Sequence, residues 1–274
     1  MPELPEVETI RQQLIPALPL KIERVEFSKV SHSIIKKSDR KIKLAGKSII
    51  QIRRAGKWLE MVLDSGESIF SHLGMSGSWR LWKQKEQVKH THVLLQGVHP
   101  QNGPVFFAYV DPRRFGKMTF KSRLQAEEFQ AKFGVDVAGP QFTRDYIWKI
   151  LQKYPERPIK VFLLDQKYFA GIGNYIACEI CAHAGLLPIR LAKSLTRTDV
   201  KKIHHATREV IARQLPKGGL TFHGGYRDAF GEKGQGVERL VVFHQKICGL
   251  CGKGKIKKIV LAQRGTFYCS SCQK

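Results

Sequence analysis

The chain has 274 residues, 42% of them hydrophobic and 26% charged, a composition that excludes a disordered, collagen-like or coiled-coil protein. No run approaches the roughly 18 apolar residues of a membrane-spanning helix, and Met1-Pro2-Glu3-Leu4-Pro5-Glu6 lacks the basic stretch and apolar core of a secretory signal, so a reducing cytoplasmic or nucleoid location is expected. Lys and Arg number 47 against 23 Asp and Glu, a formal net charge of +24; this implies a polyanionic partner, with nucleic acid ahead of an anionic membrane because no strongly basic helix carries a Trp/Phe/Leu face.

The opening predicts a short helix. Pro2 suits its first turn, and Leu4, Val7, Ile10 and Leu14 recur near helical spacing until Pro16 and Pro19 end it. Alternating or β-rich runs at 22–27, 49–53, 59–63, 93–96 and 105–110 predict strands, with turns at Asp64-Ser65-Gly66 and Gln101-Asn102-Gly103-Pro104. Several short strands with regular turns suggest a β-sandwich, with a helix over 124–133 on its edge. Gly- and Pro-containing residues 134–140 read as a linker, after which the period changes. Helices are predicted after Thr143 as cap, over 159–166, over 174–183 with Asn174 as cap, and over 198–215 up to Gly218-Gly219. The expected chain is therefore α+β and multidomain, with a β-sandwich domain at 1–133, a linker at 134–140, a helical domain at 141–243 and a small cysteine-rich module at 244–274.

Cys248-x-x-Cys251 is followed after 17 residues by Cys269-x-x-Cys272. This is the spacing of a four-cysteine zinc ribbon, in which two hairpin knuckles supply tetrahedral thiolate ligands and leave no open position for catalysis. Zn2+ is thus expected as a structural ion that holds a module too small to fold alone. Lys253, Lys255, Lys257, Lys258 and Arg264 lie between or beside the knuckles, and a pinned basic hairpin suits a DNA backbone. Cys178 and Cys181 share the C-x-x-C spacing but lie in an apolar helical stretch and read as buried structural thiols.

At the N-terminus, removal of Met1 would leave Pro2 with a free secondary amine. Such amines titrate near roughly 8, so a neutral fraction able to attack an electrophilic carbon exists at cellular pH. Glu3 and Glu6 stand beside it for acid–base work. Taken alone, the same residues also describe a helix start whose acids suit the helix dipole.

The sequence Met1-Pro2-Glu3-Leu4-Pro5-Glu6-Val7-Glu8-Thr9 resembles the start of the formamidopyrimidine-DNA glycosylases, and further motifs follow in order. They are Arg53-Arg54-Ala55-Gly56-Lys57, Ser71-His72-Leu73-Gly74-Met75-Ser76-Gly77, Lys89-His90-Thr91-His92, Asp111-Pro112-Arg113-Arg114-Phe115-Gly116, Leu163-Leu164-Asp165-Gln166 with Ala170-Gly171-Ile172-Gly173-Asn174, and Gln263-Arg264-Gly265-Thr266-Phe267-Tyr268-Cys269. The resemblance spans essentially the whole chain. It implies a β-sandwich, a helix–two-turn–helix domain and a zinc hairpin, and a monomeric base-excision enzyme that flips an oxidised purine from duplex DNA, cuts its glycosidic bond and nicks the strand by β,δ-elimination. It further implies Pro2 as nucleophile at C1′, Glu3 as the acid for ring opening, Glu6 in support, Lys57 on the neighbouring phosphate and as proton donor, and Arg264 as phosphate clamp in δ-elimination. Asn174 would bind phosphate at a helix N-terminus, Met75, Arg113 and Phe115 would fill the gap left by the flipped base, and His90 would contact the backbone.

The sequence departs from the family pattern in three places. Tyr154-Pro155-Glu156-Arg157 stands where the family often has a lysine cluster, so Arg157 or Lys153 would take that phosphate. The lesion-covering loop after Gly218-Gly219, running through His223-Gly224 to Arg239, lacks its usual aromatic, and 242–248 is short. Two other functions compete. One is the sister enzyme endonuclease VIII, for oxidised pyrimidines, against which Leu4 and Val7 argue; the other is a non-catalytic DNA-binding protein, against which the presence of Glu3, Lys57 and Arg264 argues.

Overall fold

The computed structural model describes residues 1–222 and 225–274 and divides into two compact units, one of 1–131 with 217–235 and the other of 132–216 with 236–274. Residues 217–235, assigned with the helical domain from sequence, thus pack with the first unit. His223 and Gly224, in the loop expected from sequence to cover the lesion, lie outside the described residues.

The first unit opens with α1 (Leu4–Leu14), which buries Leu4, Val7, Ile10 and Leu14 completely. Pro2 precedes this helix rather than entering its first turn. Glu3 is the extended N-cap, Pro5 takes the first turn, and Glu3 and Glu6 form a reciprocal capping box. Strands β1 (Leu20–Phe27), β2 (Ser48–Ala55), β3 (Trp58–Leu63), β4 (Ser68–His72), β5 (Ser78–Trp82), β6 (Thr91–His99), β7 (Gly103–Val110) and β8 (Lys117–Lys121) form one antiparallel ladder in the order β5-β7-β6-β1-β2-β3-β4-β8. Laid flat, β4 and β5 would stand six spacings apart in that order, about 29 Å at roughly 4.8 Å each. Instead the Trp79 indole in β5 donates to Ser71 Oγ in β4 at 3.0 Å. The ladder therefore folds over on itself as a β-sandwich, and α1, β3, β6 and β7 share one core containing Ile10, Met61, Leu95 and Phe107. Helix α2 (Arg123–Gln130) follows, capped by Ser122 and ending three residues before the 133 that its apolar pattern suggests.

In the second unit, β9 (Val135–Asp136) pairs in parallel with β10 (Phe169–Ala170), so residues expected as a free linker are hydrogen-bonded into this unit. Helix α3 (Arg144–Lys153) starts at Thr143, whose Oγ1 accepts from Tyr146 N at 3.1 Å. Helix α4 (Ile159–Leu163) stops short of Gln166, because Asp165 and Gln166 turn their side chains onto the following backbone: Asp165 accepts from Lys167 N at 3.0 Å, and Gln166 donates to Ile172 O at 2.7 Å. Helices α5 (Asn174–His183) and α6 (Arg197–Gln214) complete the helical layer, the latter capped by Thr196 and Asp199. The chain ends in the hairpin β11 (Ile256–Leu261) and β12 (Arg264–Cys269).

Candidate active site

In the first unit the N-terminal residues are buried although two are acids: Glu3 is 3% and Glu6 1% exposed. Burial of a carboxylate demands hydrogen bonds, and the backbone supplies them. Glu6 Oε2 accepts from Glu3 N at 2.6 Å, and its Oε1 accepts from Leu220 N at 2.6 Å. The approach of residues 218–220 depends on glycine. Gly219 has φ +73°, and a Cβ there would overlap the Glu6 carboxylate. Pro2 is buried next to this pair, while Met1 is 47% exposed.

Lys57 is also buried. It stands in the two-residue turn between β2 and β3, where Ala55 faces Trp58 and Gly56 takes the left-handed conformation at φ +59°. His72, at the end of β4, lies within the electrostatic reach of Lys57. Burial, with the charges of Lys57 and Lys117, lowers its pKa to about 4. Its Nδ1 accepts from Gly74 N at 3.1 Å, which assigns the proton of the neutral ring to Nε2. Local sequence does not single out His72 within its motif; its proximity to Lys57 arises only from strand pairing, in which Trp58 faces His72.

Met75, Arg113 and Phe115 lie on two neighbouring loops. Met75 is 37% and Phe115 54% exposed, and the Arg113 guanidinium carbon stands 4.9 Å from the Phe115 ring centroid. The fully buried Asp111 joins these loops. Its Oδ1 accepts from Ser76 Oγ at 2.7 Å and its Oδ2 from Gly116 N at 2.8 Å. Gly74, at φ +64°, lies so close to the 115–116 backbone that no side chain fits. The result is an exposed apolar and cationic tip on a rigid base. His90 is exposed with φ +68°, and its carbonyl accepts from Asp111 N at 3.0 Å.

In the second unit, Asn174 is not a helix cap. Gly173 is the N-cap, and the Asn174 side chain is engaged elsewhere: Oδ1 accepts from the fully buried Lys160 Nζ at 2.7 Å, and Nδ2 donates to Gly265 O at 2.9 Å. Asn174 is thereby brought next to Arg264, which is exposed on β12. Arg157 pairs with Asp165 at 2.9 Å and lies over the Phe162 ring at 5.1 Å. Glu179, 1% exposed, accepts from the amides of Val241, Val242 and Phe243 at 2.8, 3.0 and 2.8 Å, which fixes the segment leading to the first cysteine.

The ligand atoms of Cys248, Cys251, Cys269 and Cys272 all lie within 4.8 Å of one another. The Cys248–Cys272 and Cys251–Cys269 sulfurs are 3.8 and 4.0 Å apart. A disulfide needs about 2.05 Å, whereas a tetrahedron with metal–sulfur bonds near 2.3 Å has edges of about 3.8 Å. The cluster therefore fits a metal ion. A Cβ at Gly254 would strike the Cys251 and Cys269 sulfurs, so the knuckle requires glycine there. The module is anchored to the end of α5 by Gln273 Nε2 on Leu186 O at 2.7 Å and by Lys274 N on Gly185 O at 3.0 Å. Cys178 and Cys181 are buried apart from this cluster, and burial pushes the Cys181 thiol upward, as befits a structural residue.

Residues 1–118 match the family model of the formamidopyrimidine-DNA glycosylase N-terminal domain, and residues 133–223 match that of the formamidopyrimidine-DNA glycosylase H2TH domain. The formamidopyrimidine-DNA glycosylase of Brucella canis is 35% identical over the full length of both chains. The MutM (Fpg) crystal structure from Thermus thermophilus superposes with a TM-score of 0.84 at 32% identity, covering 99% of this chain and 98% of that one. Wild-type Lactococcus lactis Fpg (MutM) in complex with DNA containing N7-benzyl-Fapy-dG superposes with a TM-score of 0.86 at 29% identity over the whole of both chains. Among the described residues, no helix is long and apolar enough to cross a membrane.

Proposed function

The chain belongs to the formamidopyrimidine-DNA glycosylase family, and on that basis we propose that it excises oxidised purines, 8-oxoguanine and formamidopyrimidines among them, from duplex DNA and then nicks the strand as an abasic-site lyase. The observation that carries this reading is the buried N-terminus, where Pro2 adjoins Glu3 and Glu6 and the carboxylates are held by backbone amides. After loss of the exposed Met1, the Pro2 nitrogen attacks C1′ of the flipped nucleotide. The glycosidic bond breaks as the base leaves with its electron pair and the proton given up by the Pro2 nitrogen, and the C1′–O4′ bond of the resulting adduct then breaks to give the covalent iminium. Glu3 supplies the proton that opens the sugar ring, and Glu6 holds the Glu3 backbone.

Lys57 binds the phosphate next to the lesion and delivers a proton during β-elimination. Arg264 clamps phosphate and serves δ-elimination, with Asn174 holding the adjacent Gly265 carbonyl. Met75, Arg113 and Phe115 wedge the duplex and occupy the space vacated by the base, and His90 and Arg157 contact the backbone. We assign Zn2+ to Cys248, Cys251, Cys269 and Cys272; when bound, it supplies no chemistry but fixes the hairpin that presents Arg264. We propose a catalytic sandwich, a helical DNA-binding domain and a zinc hairpin, with residues 217–235 acting from the first unit.

Borohydride trapping on duplex DNA with one 8-oxoguanine, followed by peptide mass spectrometry, tests this reading. A covalent adduct at Pro2 is expected. A parallel duplex carrying an oxidised pyrimidine separates the endonuclease VIII reading; trapping there and not on 8-oxoguanine overturns the proposed substrate. Binding without trapping on these and on an abasic duplex overturns the catalytic reading.

A further inference from the structure

Glu8 and Arg54 are charged, far apart in sequence and nearly buried, with side chains 12% and 10% exposed. Glu8 belongs to α1, the helix whose start carries Glu3 and Glu6. Arg54 stands near the end of β2, three positions before Lys57. One guanidinium spans both. Its Nε donates to Glu8 Oε2 at 3.0 Å, and its NH1 donates to the Gly56 carbonyl at 3.1 Å. Glu8 is in turn held by Arg11, whose Nε donates at 3.1 and 3.0 Å and whose NH2 donates at 2.7 Å, and by Gln12 at 3.0 Å.

Stability alone gives no reason for this arrangement, because well-packed apolar residues commonly serve as well as a buried ion pair. The turn gives one. Gly56 is left-handed, and through Arg54 its carbonyl is tied to a carboxylate outside the hairpin. A planar fork can bond a carboxylate and a carbonyl at once; an ammonium cannot do so with the same geometry. We propose that Arg54, braced by Glu8, is a positioning residue for Lys57, fixing the Gly56–Lys57 turn against the helix that carries the catalytic N-terminus. The inference rests on the roles given above to Lys57 and Pro2.

The test is single-turnover strand cleavage at saturating enzyme on a duplex with one abasic site, with borohydride trapping and thermal unfolding measured in parallel. Arg54→Lys keeps a positive charge beside Glu8 but loses the fork, and Arg54→Gln loses both. Arg11→Gln removes a comparable Glu8 partner without touching the Gly56 carbonyl. Misplacement of a reacting group by a fraction of an ångström to 1 Å costs on the order of tenfold to a hundredfold, so both Arg54 variants should cleave at least about tenfold more slowly while still forming the Pro2 adduct. Arg11→Gln should unfold at lower temperature yet cleave within about twofold of wild type. Cleavage by Arg54→Lys at the wild-type rate, or equal slowing in Arg11→Gln, overturns the proposal. Lys57→Ala separates the two levels. If it cleaves normally, the role of Lys57 itself is refuted; if it is slow while Arg54→Lys is normal, only the positioning is refuted.

Discussion

Replacing Gly219 by alanine tests whether residues 218–220 hold the proposed catalytic N-terminus through Glu6. Gly218 and Gly219 are both left-handed, at φ +66° and +73°, so alanine at either costs about 1–2 kcal/mol of backbone energy. Their surroundings differ. A Cβ at 218 meets nothing nearer than 3.9 Å, whereas a Cβ at 219 overlaps the Glu6 carboxylate. Glu6 cannot move aside and keep both amide bonds, to Glu3 N and to Leu220 N, each at 2.6 Å. Hydrogen bonds to a charged group contribute about 1.5–3 kcal/mol, so the loss of one makes Gly219→Ala worse than Gly218→Ala by that amount. In a unit of this size 1 kcal/mol shifts Tm by roughly 2–4 °C, which sets the extra drop at roughly 3–12 °C. Thermal unfolding of the two variants reads it directly, and borohydride trapping on abasic DNA should slow only in Gly219→Ala. Equal Tm values for the two variants would refute the reasoning.

Three further outcomes follow from the same geometry. Chelation, or Cys251→Ser, should release one zinc ion and abolish strand cleavage while the first unit keeps its own unfolding transition; full activity with zinc proved absent by atomic absorption contradicts this, since structural zinc supplies most of the folding energy of such modules. Glu8 has its carboxyl pKa lowered, because burial, which raises it, is outweighed by the Arg11 hydrogen bond and by Arg54. Its contribution is complete above the ordinary carboxylate range and is lost as pH falls through the lowered value, so Glu8→Gln should flatten the acid limb of a Tm-against-pH curve; an unchanged limb counts against the ion pair. His72 has its pKa lowered from 6.5 to about 4, so the unfolded chain takes up a proton that the folded chain refuses and stability falls as pH drops from 6.5 toward 4. His72→Gln should remove that part of the slope, and a slope that persists unchanged places the proton uptake elsewhere.

Patterns with short periods were legible in the sequence. The spacing of Leu4, Val7, Ile10 and Leu14 gave α1, Thr143 gave the start of α3, and the paired C-x-x-C motifs gave the thiol cluster. Contacts made only on closing the sandwich were not legible. Trp79 meets Ser71 because the ladder folds over, and Arg54 meets Glu8 across 46 positions. Asn174 shows the limit from another side. An asparagine at a helix start looks like a cap, yet a buried ammonium and a carbonyl from another element compete for its amide and win. Residues 217–235 follow the helical run in sequence but make their bonds to α1 and β5, through Gln13 on Asp228 at 2.7 Å and Leu81 N on Ala229 O at 2.9 Å; no local pattern encodes that destination.

The division between exposed and buried residues carries a kinetic consequence. Met75, His90, Arg113, Phe115 and Arg264 are exposed, whereas Pro2, Glu3, Glu6 and Lys57 are buried. In a chain with a net charge of +24, phosphate affinity is spread over many solvated cations, and losing one lowers affinity and the salt slope by a small increment. Proton transfer and attack at carbon tolerate no such averaging, because they need one geometry. Substitutions of the exposed cations should therefore act mainly through KM and its salt dependence, and those in the buried group through kcat. Arg264 is the informative exception: it is exposed, yet its assigned step is chemical, so its anchorage through Gly265 to Asn174 and Lys160 stands in for burial as the source of its fixed position.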